Sequence, residues 1–213
     1  MSKYNMYIED VSVEAAFNKL GGIEGARAFL RNDQKFTPVS FERNEHGHVL
    51  LSITGLDLVG EQEVERLEAA RFRVGNFAKS CMLSKKKDGY DKNHRLVDGQ
   101  KYTIALMPTR EIERDSDRTT NALRTRGIEK YGYEQPLAGI APRVREVVSD
   151  KQMEEMRFWY IAAPHDPIKD SGGSPGVLGA SRGGGGQWLG ADWDHPGDRW
   201  GDDGAFAFLV PAS

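Results

Sequence analysis

Ser171 to Gly204 reads SGGSPGVLGASRGGGGQWLGADWDHPGDRWGDDG, and this stretch holds 12 of the chain's 24 glycines, five aspartates, three serines, one histidine and three tryptophans, with no asparagine. Pro164, Pro167, Pro175 and Pro196 join the glycines in breaking every window after Ala163, so signals of regular structure stop for roughly 40 residues. Trp188, Trp193 and Trp200 supply what such a segment needs to be ordered, because each brings ~150 to 250 Å² of buriable surface. The apolar run Ala205-Phe206-Ala207-Phe208-Leu209-Val210 that follows predicts a buried closing strand. The expectation is a long irregular segment, pinned by tryptophans, ahead of the last strand.

Working back toward the N-terminus, Phe158-Trp159-Tyr160-Ile161-Ala162-Ala163 is the most β-prone run of the chain. A helix is expected from about Pro142 to Met156, interrupted near Ser149-Asp150, and another from caps at Asp115-Ser116-Asp117 through Lys130 to Gly132. Tyr102 to Met107 predicts a strand closed by Pro108. Glu61 to Phe72 carries Val64, Leu67 and Ala70 on one face, and Phe77 to Leu83 continues helical after Gly75. Val39 and Phe41 on one side of Asn44-Glu45-His46-Gly47, with Val49, Leu51 and Ile53 on the other, predict a β-hairpin. Val11 to Phe29 reads as helix broken at Gly21-Gly22, followed by a turn from Glu24 to Leu30. Strands and helices are segregated rather than alternating, which predicts an α+β fold. An N-terminal helical and hairpin extension is expected over residues 1–60, either apart from the main domain over 61–213 or packed into it.

Composition excludes several function classes. With a net charge of −3, the only notable basic run is Lys85-Lys86-Lys87, so nucleic acid is not expected as a partner. From Pro164 onward three Lys or Arg face seven Asp, a local charge of −4 that leaves +1 for the rest. No window approaches the ~18 apolar residues of a membrane span, and no signal-peptide core is visible at the start. The sole cysteine, Cys81, leaves no intrachain disulfide and no multi-cysteine zinc site. Cys81 sits in an apolar helical setting and reads as a buried small hydrophobe. His165-Asp166 has the elements of an acid–base pair but no accompanying nucleophile signature, so no catalytic set is expected. Gly183 to Gly186 lacks the Lys-Ser/Thr that follows a phosphate loop. Asp192, Asp194, Asp198, Asp202 and Asp203 match no calcium-loop spacing, so neither metal nor cofactor is expected.

Gly, Asp, Ser and His share one genetic property: each is reached when one or both adenines of an asparagine codon are replaced. Reading such positions back to Asn gives an evenly spaced Asn-rich run around Trp188-Leu189, Trp193, Pro196 and Arg199-Trp200. The pattern resembles the C-terminal variable region of proteins diversified by diversity-generating retroelements, in which a reverse transcriptase copies a template with errors at adenines. The resemblance is most specific over about Phe158 to Ser213. Phe77-Ala78-Lys79-Ser80-Cys81, Ser84 to Asp91, Asp115 to Thr120 and Phe158 to Ala162 resemble the invariant scaffold of such proteins. It implies a C-type lectin-like fold, with small antiparallel sheets, two or more helices and a long irregular segment before the last strand. It also implies a non-enzymatic display protein that binds an unknown protein or glycan through a variable region at about 170–204. The implied variable residues are Gly172, Gly173, Ser174, Gly176, Gly179, Ser181, Gly183, Gly184, Gly190, Asp192, Asp194, His195, Gly197, Asp198, Gly201, Asp202 and Gly204. Here Trp188, Leu189, Phe206 and Phe208 are expected in the core. A calcium-dependent sugar binder is the main alternative. An enzyme of the formylglycine-generating type is a weaker one, since its reactive cysteine pair has no counterpart.

Overall fold

The chain divides into two compact units, Met1–Ser40 and Phe41–Ser213, and the computed structural model describes residues 41–211. The helices expected between Val11 and Leu30, and Val39 of the expected hairpin, lie outside the described residues.

The described part is α+β. In chain order it comprises β1 (Val49–Thr54), α1 (Gly60–Ala69), β2 (Arg73–Val74), α2 (Asn76–Met82), α3 (Tyr90–Asn93), β3 (Lys101–Pro108), α4 (Thr120–Thr125), which continues as a π turn over Arg126–Lys130, α5 (Ile140–Val147) and α6 (Asp150–Glu155). Then come β4 (Tyr160–Ala162), β5 (Ile168–Lys169), β6 (Pro175–Gly183), β7 (Gly186–Trp193) and β8 (Gly204–Leu209). All eight strands join one sheet in the order β1-β3-β8-β4-β6-β7-β2, with β5 paired to β6.

Alternation along the central strands creates two cores. Ile104, Leu106, Ala205, Ala207, Ile161, Leu178 and Leu189 face one way and pack with Leu67, Met82, Ile140 and Val144 from α1, α2 and α5. Ala105, Met107, Phe206, Phe208, Ala162 and Val177 face the other way and pack with Leu123 of α4 and with Trp200. Covered on both faces, β8 has no polar side to present, which is why its sequence is continuously apolar. Glu63 of α1 pairs with Arg143 of α5, both side chains buried, and burial raises the Glu63 carboxyl to about 7 against the opposing pull of Arg143.

Several expectations are corrected. The sheet is single and mixed rather than a set of small antiparallel sheets, because β4 runs parallel to β8 and β2 parallel to β7. The chain leaves β4, builds β5 to β7 and only then returns beside it, a connection long enough for parallel pairing. The segment after Ala163 is not irregular throughout: β6 and β7 form an eight-pair antiparallel hairpin from Gly176↔Trp193 to Gly183↔Gly186. Its two-residue connection is Gly184-Gly185, and φ of +93° at Gly185 and +141° at Gly186 explains the glycine run as a turn. Residues 194–203 are the longest irregular stretch left in the segment.

The expected hairpin around Asn44–Gly47 reduces to a turn and one bridge, Arg43↔Val49, while β1 takes β3 as its partner instead. Because β1 is a strand of the sheet, the main unit begins at Phe41 rather than at 61. Asp115–Asp117 forms a 3-10 turn, and the cap of α4 is Thr119, whose Oγ1 accepts the Ala122 N–H at 3.2 Å. The interruption at Ser149 is a capping box with Gln152: Ser149 Oγ accepts the Gln152 N–H at 3.2 Å and Gln152 Oε1 accepts the Ser149 N–H at 2.9 Å.

Candidate functional site

Pairing register sets side chains of the hairpin in rows on the face that also carries Phe206. One row runs Arg73, Trp188, Ser181, Tyr160 and Gly204 across five strands. The next runs Gly190, Gly179, Ala162 and Phe206, and beyond it Asp192 lies opposite Val177. The glycine row has no side chains on the hairpin, so it forms a low floor between Trp188 and Asp192. A Cβ placed on Gly190 would meet nothing closer than Ser181 Oγ at 3.8 Å. At one end the Arg73 guanidinium lies 5.4 Å from the Trp188 ring centre. At the other, Asp192, Trp193, Asp198, Arg199 and Trp200 line a hollow of about 230 Å³.

Residues 194–203 cross this face from the end of β7 to the start of β8, and two arginines of the α4 region fix their path. Arg118, itself buried, donates from Nη1 to the Trp200 carbonyl at 3.0 Å and from Nε to the Ile112 carbonyl at 3.1 Å. The Trp200 N–H donates to the Arg118 carbonyl at 3.0 Å and its indole Nε1–H to Thr120 Oγ1 at 2.9 Å. The indole packs edge-on against Phe206 and tilted over Tyr160, whose hydroxyl donates to the Gly201 carbonyl at 2.9 Å. Burial pushes the Tyr160 phenol well above its ordinary value, so it stays a neutral donor. Arg124 donates to the Pro164 carbonyl at 3.0 Å, the His165 carbonyl at 2.6 Å and the Asp194 carboxylate at 2.9 Å.

The three tryptophans take three different environments. Trp200 is buried, Trp188 is half-buried rather than in the core, and Trp193 is 58% exposed, with its ring edge-on to Phe77 and His195. Leu189, Phe206 and Phe208 are fully buried.

Of the residues implied as variable, Gly172, Gly184, Asp192, His195, Gly197, Asp198, Gly201 and Asp202 are exposed, and Gly173, Ser174, Ser181, Gly183, Gly190 and Asp194 are half-buried. Gly176, Gly179 and Gly204 are buried, which corrects their assignment as replaceable positions. A Cβ on Gly176 would stand 2.8 Å from Cys81 Sγ, one on Gly179 2.9 Å from the Ile161 carbonyl, and one on Gly204 inside the Tyr160 ring. Nor do the seventeen form one patch. Gly183 and Gly184 sit at the hairpin tip, whereas Gly172 to Ser174 form the turn into the opposite end of β6, where Ser171 Oγ bonds Ser80 Oγ at 3.1 Å. Asp192 and Asp198 do come together, around the hollow they line with Trp193, Arg199 and Trp200.

Asp194 is the other correction, since its side chain is only 7% exposed and its carboxylate is committed to Arg124. Asp194→Ala is expected to cost about 1–3 kcal/mol by leaving a shielded guanidinium without its partner. Asp198→Ala should stay within about 0.5 kcal/mol. Urea-denaturation midpoints of the two variants test the contrast, and equal midpoints would contradict it. Arg118 and Arg124 carried no signal in the sequence, because the bonds by which they fix the loop reach Trp200, Pro164, His165 and Asp194, 40 or more positions away.

Burial pushes the Cys81 thiol up to about 12, so it holds no thiolate near neutrality. The His165 ring is spent on structure: Nε2 accepts the Leu178 N–H at 2.8 Å and Nδ1–H donates to the Asp166 carbonyl at 2.6 Å. Among the described residues, no group of three or more His, Cys, Asp or Glu side chains is placed to hold a metal ion, and no helix is long and apolar enough to cross a membrane. Comparison with protein-family profiles, with curated proteins and with solved structures returns no match.

Proposed function

We propose that the chain is a non-enzymatic ligand-binding display protein with a C-type lectin-like scaffold, whose contact surface is the 194–203 loop with the adjoining face of the β6–β7 hairpin. The observation that carries this reading is the separation of anchors from tips within one short segment. Trp200 and Asp194 point inward to Arg118, Thr120 and Arg124, while Asp192, Trp193, His195, Gly197, Asp198 and Asp202 are exposed. A loop held by its ends and one buried ring leaves the remaining side chains free to vary without disturbing the core. An exposed aromatic among small polar residues is also the composition of adaptable binding surfaces. The lectin-like topology draws support from β8, the last strand, entering the middle of the sheet beside β3 after three intervening helices, four strands and an irregular loop.

In this reading the segment is rewritten at adenines of its template, and the replaceable set is narrower than the codon pattern suggests: Gly176, Gly179, Asp194 and Gly204 belong to the scaffold. The test is a library in which Gly190, Asp192, His195, Asp198 and Asp202 are replaced by Asn, Tyr or Ser. Melting temperatures should stay close to the parent, while capture by a panel of proteins and glycans should differ between variants. General unfolding of the library, or one unchanged small-molecule ligand for all members, would overturn the proposal. So would complete flanking DNA without a near-copy of the segment, adenine-rich where the two differ, beside a reverse transcriptase gene.

A further inference from the structure

A second concavity shares no residue with the hairpin face. It encloses about 290 Å³ between the end of α3, the 135–137 segment and the 166–167 turn. At its base lies His94, only 3% exposed. His94 Nδ1 accepts the Ala138 N–H at 3.3 Å, so the neutral ring carries its proton on Nε2. That N–H has no hydrogen-bond partner among the described residues, and the ring that bears it lines the cavity. Burial lowers the His94 pKa against the upward pull of Asp166 and Asp88.

The rim has the opposite character. Gln135 Nε2 donates to Asp166 Oδ1 at 2.9 Å, which leaves Gln135 Oε1 and the second Asp166 oxygen as free acceptors. Asn93 Nδ2 donates to the Lys87 carbonyl at 2.9 Å, which leaves Asn93 Oδ1 as another, and Asp88 adds a carboxylate. Pro136, Leu137 and Pro167 supply an apolar wall. Two carboxylates and two amide oxygens around one unpartnered N–H call for a ligand that is cationic, rich in donors and equipped with one acceptor. A bare metal ion fits poorly, because the buried His94 edge presents a hydrogen rather than a lone pair.

We propose that this cavity binds a small organic ammonium bearing a neighbouring hydroxyl, of the amino sugar or amino alcohol class. The ammonium lies between Asp88 and Asp166, a hydroxyl oxygen accepts from His94 Nε2–H, and the carbon skeleton rests on the prolines and Leu137. The volume sits at the small end of ligand sites and suits one sugar ring or less.

The test is NMR titration of the full chain, following the His94 imidazole signals, with glucosamine, ethanolamine, glucose and calcium as separate probes. Glucosamine and ethanolamine should move the His94 signals saturably, with glucose at least about tenfold weaker. Asp88→Asn combined with Asp166→Asn should weaken glucosamine at least about tenfold while leaving the melting temperature unchanged, since both side chains reach solvent. Equal binding of glucose and glucosamine would overturn the ammonium assignment. No saturable movement of His94 with either amine, or saturation by calcium alone, would overturn the site. None of these outcomes depends on the hairpin face, so they stand apart from the display proposal.

Discussion

Gly179→Asn and Gly204→Asn are each expected to lower stability by about 3 kcal/mol, whereas Gly197→Asn should stay within about 0.5 kcal/mol. On the proposed reading all three glycines look alike as outcomes of adenine mutagenesis, with asparagine as the residue its template would encode. Their surroundings differ. Gly179 lies inside the sheet between β4 and β7, where its Cβ would meet the Ile161 carbonyl at 2.9 Å and Ala162 Cα at 3.1 Å. Those are backbone atoms held by ladder hydrogen bonds, so neither can step aside. Gly204 pairs with Tyr160, and its Cβ would enter the phenol ring. That ring is held by Trp200 and by its bond to the Gly201 carbonyl, so moving it would unseat the loop anchor. Gly197 has nothing within 4 Å of its Cβ position. Urea midpoints of the three variants decide the matter. If Gly179→Asn and Gly204→Asn fold as well as Gly197→Asn, these close approaches do not limit variation and the whole segment is open to it.

The same steric detail marks how far the sequence could be read. Lys101–Pro108, Tyr160–Ala162, Gly204–Leu209 and the helices over Gly60–Ala69, Asn76–Met82 and Ile140–Glu155 were legible because their side chains carry the pattern: apolar runs, 3.6-residue spacing, a capping Ser149. β6 and β7 were not, because their structure is specified by what the residues lack. Glycine is depleted in strands as a rule, and a strand with Gly176, Gly179 and Gly183 reads as loop until its neighbours are known. Here strands on both sides supply the order, and crowding against Cys81, Ile161 and Trp188 supplies the demand for small residues. In the site, exposure of Asp192, His195 and Asp198 followed from their polarity. The commitment of Asp194 did not, since only the fold brings Arg124 from 70 positions away. The exposed Trp193 could not be told from the anchor Trp200 by residue type alone.

Lowering the pH from 6.5 toward 3 should remove on the order of 5 kcal/mol of stability through His165 alone. An unfolded histidine titrates near 6.5, but burial, reinforced by repulsion from His94, pushes the folded His165 down to about 3. Below pH 6.5 the unfolded chain therefore takes up a proton that the native ring refuses. The contribution is complete above 6.5 and is lost as the pH falls through about 3. The geometry explains the refusal: Nε2 has no free lone pair, because it accepts the Leu178 N–H at the start of the hairpin, and the ring is fully enclosed. Protonation breaks the side-chain bond that joins the 163–168 segment to Leu178 of β6, beside the backbone bond from the Ala163 N–H to the Leu178 carbonyl at 2.9 Å, so acid unfolding should begin at the hairpin that carries the proposed binding face. His165→Gln, whose amide oxygen preserves an acceptor, is expected to cost about 1–3 kcal/mol at pH 7 and to flatten the acid limb by up to about 1.4 kcal/mol per pH unit. Urea midpoints of parent and variant between pH 7 and 4 measure the difference. Imidazole NMR of the parent supplies a second check, since His165 should show no titration down to pH 4. A normal His165 titration, or acid limbs of equal slope, would show that the ring is not the proton sink of unfolding.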